Sequence, residues 1–354
     1  MRYLLMLLAL VSVAMAQVPS PTVPLASSGL HLVSLDTGTS QNLGRYANPS
    51  VDPEGKWLYA DDLRGHIVRW KLGAVDAAPT VFASAPAGEP GYRFPVCAPV
   101  GGMVAAFQAY SAKGPGGADL RVAVSFLNRD GKRVAGGLPL FYAKGRYNGA
   151  RAVAWHPAGE LVAFYLTAGN SDPALYVFRP TDSRKYWQKA HALTGSEGAA
   201  NGRVQWSTDG RTLSEATPEG LVLRGGSDYA KYRTIELPFL AHTWQDMDTI
   251  LLHTDAGLVQ TAVDGGRLGT IAGWPGTDPA NAGLAASVPA GLQWLRVTGP
   301  GAKPGQLRYA IHYVPAGKTS GKDAFWFDAN AGYTQGNAEP VWLPGTRTVF
   351  VSVP

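Results

Sequence analysis

Seven histidines, at positions 31, 66, 156, 191, 242, 253 and 312, are the natural candidates for a general base or a metal ligand, yet no two stand three or four residues apart. No His-Glu-x-x-His motif, phosphate-binding glycine loop or EF-hand loop occurs. The nearest approach to a nucleophile elbow, Gly225-Gly-Ser-Asp-Tyr229, lacks its final glycine. Cys97 stands alone, which excludes an intramolecular disulfide and any cysteine-based zinc or iron–sulfur centre. In a strand it reads as a small buried hydrophobe. Asp61-Asp-Leu-Arg-Gly-His66 sets two carboxylates beside an imidazole and could hold a metal ion. The same residues make a polar hairpin loop closed by Asx-type hydrogen bonds, and that reading is preferred. No catalytic residue, metal ligand or cofactor is assigned.

Two basic and aromatic stretches suggest binding instead. Thr181–His191 and Ser227–Arg233 read as equivalent loops on one face of adjacent units. Together they would present Arg184, Lys185, Tyr186, Trp187, Lys189, Tyr229, Lys231, Tyr232 and Arg233. Arginine and aromatic anchors are the types enriched in binding hot spots. The competing reading is two ordinary surface loops whose stems and rings fold back on the sheet. Another basic stretch, Lys144–Arg151, should lie on the opposite face.

Positioning these residues falls to a chain of 354 residues, 45% apolar and 16% charged, which has ample material for a core. Its 43 glycines and 26 prolines have no collagen period and point to many short strands joined by tight turns. The order strand, glycine turn, strand, loop, strand recurs most clearly from Ser50, from Val153 and from Val204, with turns on Gly55, Gly159 and Gly210. Aligned on these turns, Val51, Cys97, Trp155, Trp206, Trp244, Trp294 and Trp342 form one column, spaced by 46, 58, 51, 38, 50 and 48 residues. A period of 40 to 50 residues with about four strands per unit is the signature of a β-propeller.

Closure is legible at the ends. Glu339–Ser352 is only the first two strands of a unit, and Gly29–Leu43 supplies the missing third and fourth. Joining them in one blade removes the open edges of an unclosed array. The expectation is an all-β, seven-bladed propeller of four-stranded antiparallel blades, with six blades the alternative because the unit from Phe94 to Leu140 fits poorly. Strand alternation puts Ser50, Val96, Ala154, Gln205, Thr243, Gln293 and Val341 on the channel, with Glu339 its one carboxylate.

The motifs Trp155-His-Pro-Ala-Gly-Glu160 and Trp206-Ser-Thr-Asp-Gly-Arg211 resemble the Trp-Ser-Pro-Asp-Gly-Lys repeat of TolB-like propellers, and Gly65-His-Ile-Val-Arg-Trp-Lys-Leu72 is similar to the outer strands of WD40 blades. The resemblance implies the fold and a role in recognition. It transfers no catalytic residue.

Residues 1–16 read as a signal peptide, with a basic start, an apolar run Leu4–Val13 and the small-x-small site Ala14-Met-Ala16. A Pro-rich leader, 17–26, precedes a propeller domain, 27–354. Loss of Arg2 with the signal leaves 30 basic and 26 acidic side chains, too small an excess for a nucleic-acid binder. The chain is therefore expected to be exported to a periplasm or medium, without a membrane span after cleavage, as a monomer. There it would act as a binding or assembly scaffold for a protein or envelope polymer. The alternative is a lactonase-type or sugar-dehydrogenase-type propeller enzyme with its site at the central channel.

Overall fold

The computed structural model describes residues 23–25, 27–114, 117–141, 153–166, 174–180, 187–192, 204–217, 219–239, 241–254, 257–271, 286–288, 291–315, 318, 321–330, 340–343 and 346–354. Every regular element among them is a strand. In chain order, β1 (Val23–Pro24), β2 (Gly29–Ser34) and β3 (Thr39–Gly44) come first. Blade 1 is β4 (Ala47–Val51), β5 (Trp57–Asp61), β6 (His66–Lys71) and β7 (Thr80–Ser84). Blade 2 is β8 (Arg93–Cys97), β9 (Val104–Gly114), β10 (Gly117–Leu127) and β11 (Arg133–Phe141). Blade 3 is β12 (Val153–Trp155), β13 (Val162–Leu166), β14 (Ala174–Phe178) and β15 (Trp187–Ala192). Blade 4 follows as β16 (Val204–Trp206), β17 (Leu213–Thr217), β18 (Gly220–Gly225) and β19 (Ala230–Ile235). Blade 5 holds β20 (Ala241–Trp244), β21 (Thr249–Thr254), β22 (Gly257–Ala262) and β23 (Arg267–Ile271). Blade 6 is β24 (Ala286–Val288), β25 (Gly291–Pro300), β26 (Gln306–Pro315) and β27 (Lys322–Asn330). The chain ends in β28 (Val341–Trp342) and β29 (Thr348–Val353).

Blade 7 is the shared one, in the order β28-β29-β2-β3, with β2 and β29 paired from Gly29↔Val353 to Ser34↔Thr348. The ring thus has seven blades, and the poorly matching second unit is one of them. Blade 6 is the exception in strand number. β1 adds to its outer edge in parallel with β27, and Leu25, at the end of the Pro-rich leader, is buried in the core between blades 6 and 7.

The glycine turns behave as their spacing requires. Gly55, Gly159 and Gly210 take φ values of 65°, 71° and 74°, and each donates its N–H to the carbonyl three residues earlier. Each turn swings the chain back so that the column residue ends an inner strand. Trp155, Trp206, Trp244 and Trp342 are all buried there. Trp294 is not in this column. It lies in β25, the second strand of its blade, and Val288 ends the inner strand β24.

The antiparallel order defines two faces. Inner strands begin on the upper face, where the loops between second and third strands also emerge, and end on the lower face. Measured from the residue opposite the start of the inner strand, the second strand of blade 2 runs on seven residues, from Phe107 to Gly114. That of blade 6 runs on equally far, from Gln293 to Pro300. At about 3.3 Å per residue these two hairpins rise roughly 20 Å above the upper face. In blade 1 the corresponding strand stops at Asp61, level with Ala47.

Candidate functional site

Blades 1 and 2, which lack the tryptophan, are held together differently from blades 3 and 4. Around blades 3 and 4, indole N–H groups reach back to the preceding inner strand. Trp155 donates to the Val96 carbonyl and Trp206 to the Ala154 carbonyl, both at 3.1 Å. Between blades 1 and 2, where the column holds Val51 and Cys97, the Ser50 hydroxyl accepts from the Cys97 N–H at 3.1 Å. Gln205 donates to the His242 carbonyl of the next blade at 3.1 Å. Ser50 and Gln205, two of the polar side chains expected on the channel, are thus occupied in tying blade to blade.

Asp61 is the centre of the blade 1–2 seam. It ends β5 with no exposed surface, and a carboxylate so buried must be fully hydrogen-bonded. Its Oδ2 accepts from Asn48 Nδ2 at 2.5 Å and from the Phe94 N–H at 3.2 Å. Its Oδ1 accepts from Arg93 Nη1 at 3.1 Å and from the Leu63 N–H at 3.3 Å. Asn48, Leu63 and Phe94 have φ values of 54°, 61° and 49°, three of the four positive values at described non-glycine residues. Asn48 and Phe94 each precede a proline, which disfavours such backbone further, and each opens an irregularity in its inner strand. Strain of about 1–3 kcal/mol per residue persists only where the surroundings impose it, and here one carboxylate does so. The Asn48 N–H makes the matching bond to the Ser352 hydroxyl of blade 7, at 3.0 Å.

Beside an apolar cluster of Tyr59, Ile67, Phe82, Tyr92, Ala106 and Leu127, the seam carries further polar contacts. Gln108 donates to Glu89 and to the Pro90 carbonyl, both at 2.9 Å, and accepts from Ser125 at 3.0 Å. Arg133 grips Glu89 with two bonds of 2.7 and 3.0 Å and, with Gln108, holds its carboxyl below the usual range. Toward the lower face the Arg69 guanidinium sits 4.6 Å from the Trp57 ring and 5.1 Å from that of Phe82, and bonds the Arg129 carbonyl at 3.3 Å. Gly131 in that turn meets β7 so closely that a Cβ would lie 1.9 Å from the Phe82 oxygen. Cys97 is half-buried as a residue, but burial pushes its thiol up to about 12, against a hydrogen bond with Ser50.

At the upper mouth the acids face inward and the cations outward. Asp62 Oδ1 accepts from the N–H groups of Arg64 and His66, closing the loop as an Asx turn and leaving no oxygen pair poised with His66 for a metal. The His66 ring instead bonds Ser84 at 2.8 Å. Arg45 and Arg64 are exposed, Arg93 is partly so, and Leu63 is 46% exposed. This floor lies low between the tall hairpins of blades 2 and 6. Among the described residues no three His, Cys, Asp or Glu side chains gather as a metal site.

One Ser–His contact has the distance of a nucleophile and its base. Ser214 Oγ lies 2.9 Å from His242 Nε2, and both residues are buried. The serine hydroxyl also lies 3.1 Å from the Gln205 carbonyl and accepts from the Trp244 indole at 3.0 Å, so that Ser214 cross-links blades 4 and 5.

The residues expected to form a binding patch are distributed as follows. Arg184, Lys185 and Tyr186 lie outside the described residues. Trp187 and Lys189 stand in outer strand β15, opposite Phe178 and Tyr176, past the loop assigned to them. Tyr229 lies in the turn before β19 with its ring edge-on to Trp206 at 5.6 Å, and burial raises its phenol. Lys231, Tyr232 and Arg233 are in β19. Lys231 pairs with Glu219 at 3.2 Å, Arg233 bonds the Asp264 carbonyl of blade 5, and Tyr232, 52% exposed, touches Thr212. The seam residues Arg69, Arg93 and Arg133 escaped sequence reasoning. The signal for two of the bends was present as Asn48-Pro and Phe94-Pro, a proline in the inner strand of two of the three units without a column tryptophan.

The fold defines the class: an all-β, seven-bladed propeller, the architecture that the repeat implied. No protein-family model matches the chain, and no curated protein matches it. Solved structures do match in fold. An acylaminoacyl peptidase in complex with Z-Gly-Gly-Phe-chloromethyl ketone shares 11% identity over 87% of this chain and 49% of its own, with a TM-score of 0.52. The dihydro-heme d1 dehydrogenase NirN shares 13% over 90% and 79%, with a TM-score of 0.50. A putative TolB from Agrobacterium tumefaciens shares 15% over 92% and 98%, with a TM-score of 0.48. The chain spans about half the length of the peptidase. Among the described residues no helix is long and apolar enough to cross a membrane.

Proposed function

We propose that the chain is an exported propeller that acts as a binding scaffold, receiving an acidic, extended segment of a protein partner on its upper face. The observation that carries this reading is the pair of equally tall hairpins of blades 2 and 6. They flank a low floor where Arg45 and Arg64 are exposed around Leu63, with Arg93, paired to Asp61, partly exposed beside them. Outward cations steer an acidic partner, and an exposed apolar residue among them gives it an anchor. The N-terminal basic, apolar and small-x-small sequence supports export. The lower rim of blades 3 and 4 is the competing binding surface, since Trp187 and Tyr232 belong to it.

A photo-crosslinker placed at Leu63, and separately at Tyr232, tests the reading in the native envelope fraction. A protein captured from Leu63, and lost when Arg45 and Arg64 become Glu or when salt is raised well above physiological strength, supports it. Capture only from Tyr232, or capture of a polysaccharide rather than a protein, overturns it. Turnover in a lactonase or sugar-dehydrogenase screen would move the chain to the enzyme class.

A further inference from the structure

His31 lies in β2, 3% exposed, at the place where the leader crosses from blade 6 to blade 7. Its Nε2 donates to the Ser27 carbonyl at 2.7 Å, which leaves the lone pair on Nδ1, and Nδ1 is buried without a hydrogen-bond partner. Asn42 of β3 holds the same strap, donating to the Ser27 hydroxyl at 2.6 Å and the Ser28 carbonyl at 3.3 Å. On the other side Leu25 donates its N–H to the Trp326 carbonyl at 2.8 Å and is 4% exposed. The strap that lays β1 along β27 is thus fastened at three points, and one of them is an imidazole.

We infer that His31 and this strap form an acid-sensitive latch, in which protonation of the buried imidazole releases the leader from the seam between blades 6 and 7. A proton on Nδ1 would place a cation where its new N–H has no acceptor, and lifting the strap lets water supply one. Neither β29 nor β3 carries an ionisable side chain in its paired segment. Across the seam β26 presents Tyr309 and Tyr313, and Asp36 and Arg347 pair with each other at the lower end at 2.8 Å. Lys322 is exposed at the foot of β27. The Arg308–Asp328 and His312–Asp323 pairs belong to the opposite face of blade 6. Burial is the larger influence on His31 and lowers its pKa below 6.5, with the Ser27 carbonyl opposing. The latch is therefore complete above about pH 6.5 and weakens as pH falls through the lower folded value.

Hydrogen exchange of the full chain at pH 7.5 and 5.0, corrected for intrinsic exchange, tests this. Protection of the Leu25 amide should fall at least tenfold at pH 5.0 while the β16–β18 amides keep theirs. In His31→Gln, which stays neutral and can still donate to Ser27, protection should be equal at both pH values. Equal protection in the wild type, or the same acid loss in His31→Gln, overturns the inference. Should that variant fail to fold, NMR titration of the wild-type imidazole decides. A midpoint below 6.5 coincident with loss of the Leu25 amide supports the latch, and a midpoint at or above 6.5 sinks it.

Discussion

Blade 2 shows two different solutions to the same packing problem on the two faces of one sheet. Toward blade 3 it turns Ala105, Phe107, Val122, Val124 and Phe126 onto Trp155, Phe164 and Phe178, and the Phe126 and Trp155 rings meet edge-on at 5.6 Å. Toward blade 1 it turns Gln108 and Ser125 onto Glu89, with Arg93 reaching to Asp61. The aromatic seam holds by area, which is non-directional and tolerates small shifts. The other seam also buries an apolar cluster, with Ile67, Phe82, Tyr92, Ala106 and Leu127, and adds to it named bonds, of which those at Asp61 hold unusual backbone conformations. It is the second kind of seam that can bend inner strands and set the shape of a mouth, and the outward arginines stand above it.

Truncation separates the two seams most sharply. Trp155→Ala removes a buried indole from the aromatic side and should cost about 3–5 kcal/mol, read as a lower urea midpoint. Asp61→Ala, on the polar side, strands Arg93 and the two strained N–H groups and should cost about 3 kcal/mol. It should also increase hydrogen exchange at Leu63 and Phe94, which Trp155→Ala leaves protected at temperatures where it is folded. If Asp61→Ala costs nothing, the hub has no structural role and the strain is held elsewhere.

Acid should distinguish the faces as well. Glu89 has its folded pKa held below 4.5 by Arg133 and then Gln108, so its contribution is present above that value and lost as pH falls through the folded one. The stability difference between wild type and Glu89→Gln should therefore shrink between about pH 5 and pH 3, while that of Trp155→Ala stays constant. A Glu89→Gln difference that is flat with pH would remove the ion pair from the seam. The smallest effect concerns Cys97, whose thiol is pushed up to about 12. Iodoacetamide at pH 8 should leave the folded chain unmodified and label it rapidly in urea. Rapid labelling of the folded protein would mean that the seam opens locally.

Much of the ring was legible before any coordinates. Gly55, Gly159 and Gly210 mark turns because only glycine adopts their φ without strain, and Trp155, Trp206 and Trp342 mark inner-strand ends because each turn exposes an apolar face that a neighbour must cover. Trp294 was misplaced, because a tryptophan on a second strand has the same local pattern as one on a first. Trp187–His191 and Ala230–Arg233 were read as parts of loops because their charge hides the alternation of an outer strand. There, in β19, a bulge at Tyr232 breaks the period of two.

The sequence by itself determined the repeat and its closure through the termini, because these follow from periodic burial and turn chemistry along the chain, and the structure decided seven blades over six. Only the tertiary structure decided which polar residues meet. Asp61 is separated from Arg93 by 32 residues and Asn48 from Ser352 by 304, and His31 faces a strap laid down by another blade's edge. Such contacts depend on the angle at which one blade is set against the next. That angle comes from packing across whole seams, and no local pattern of residues encodes it.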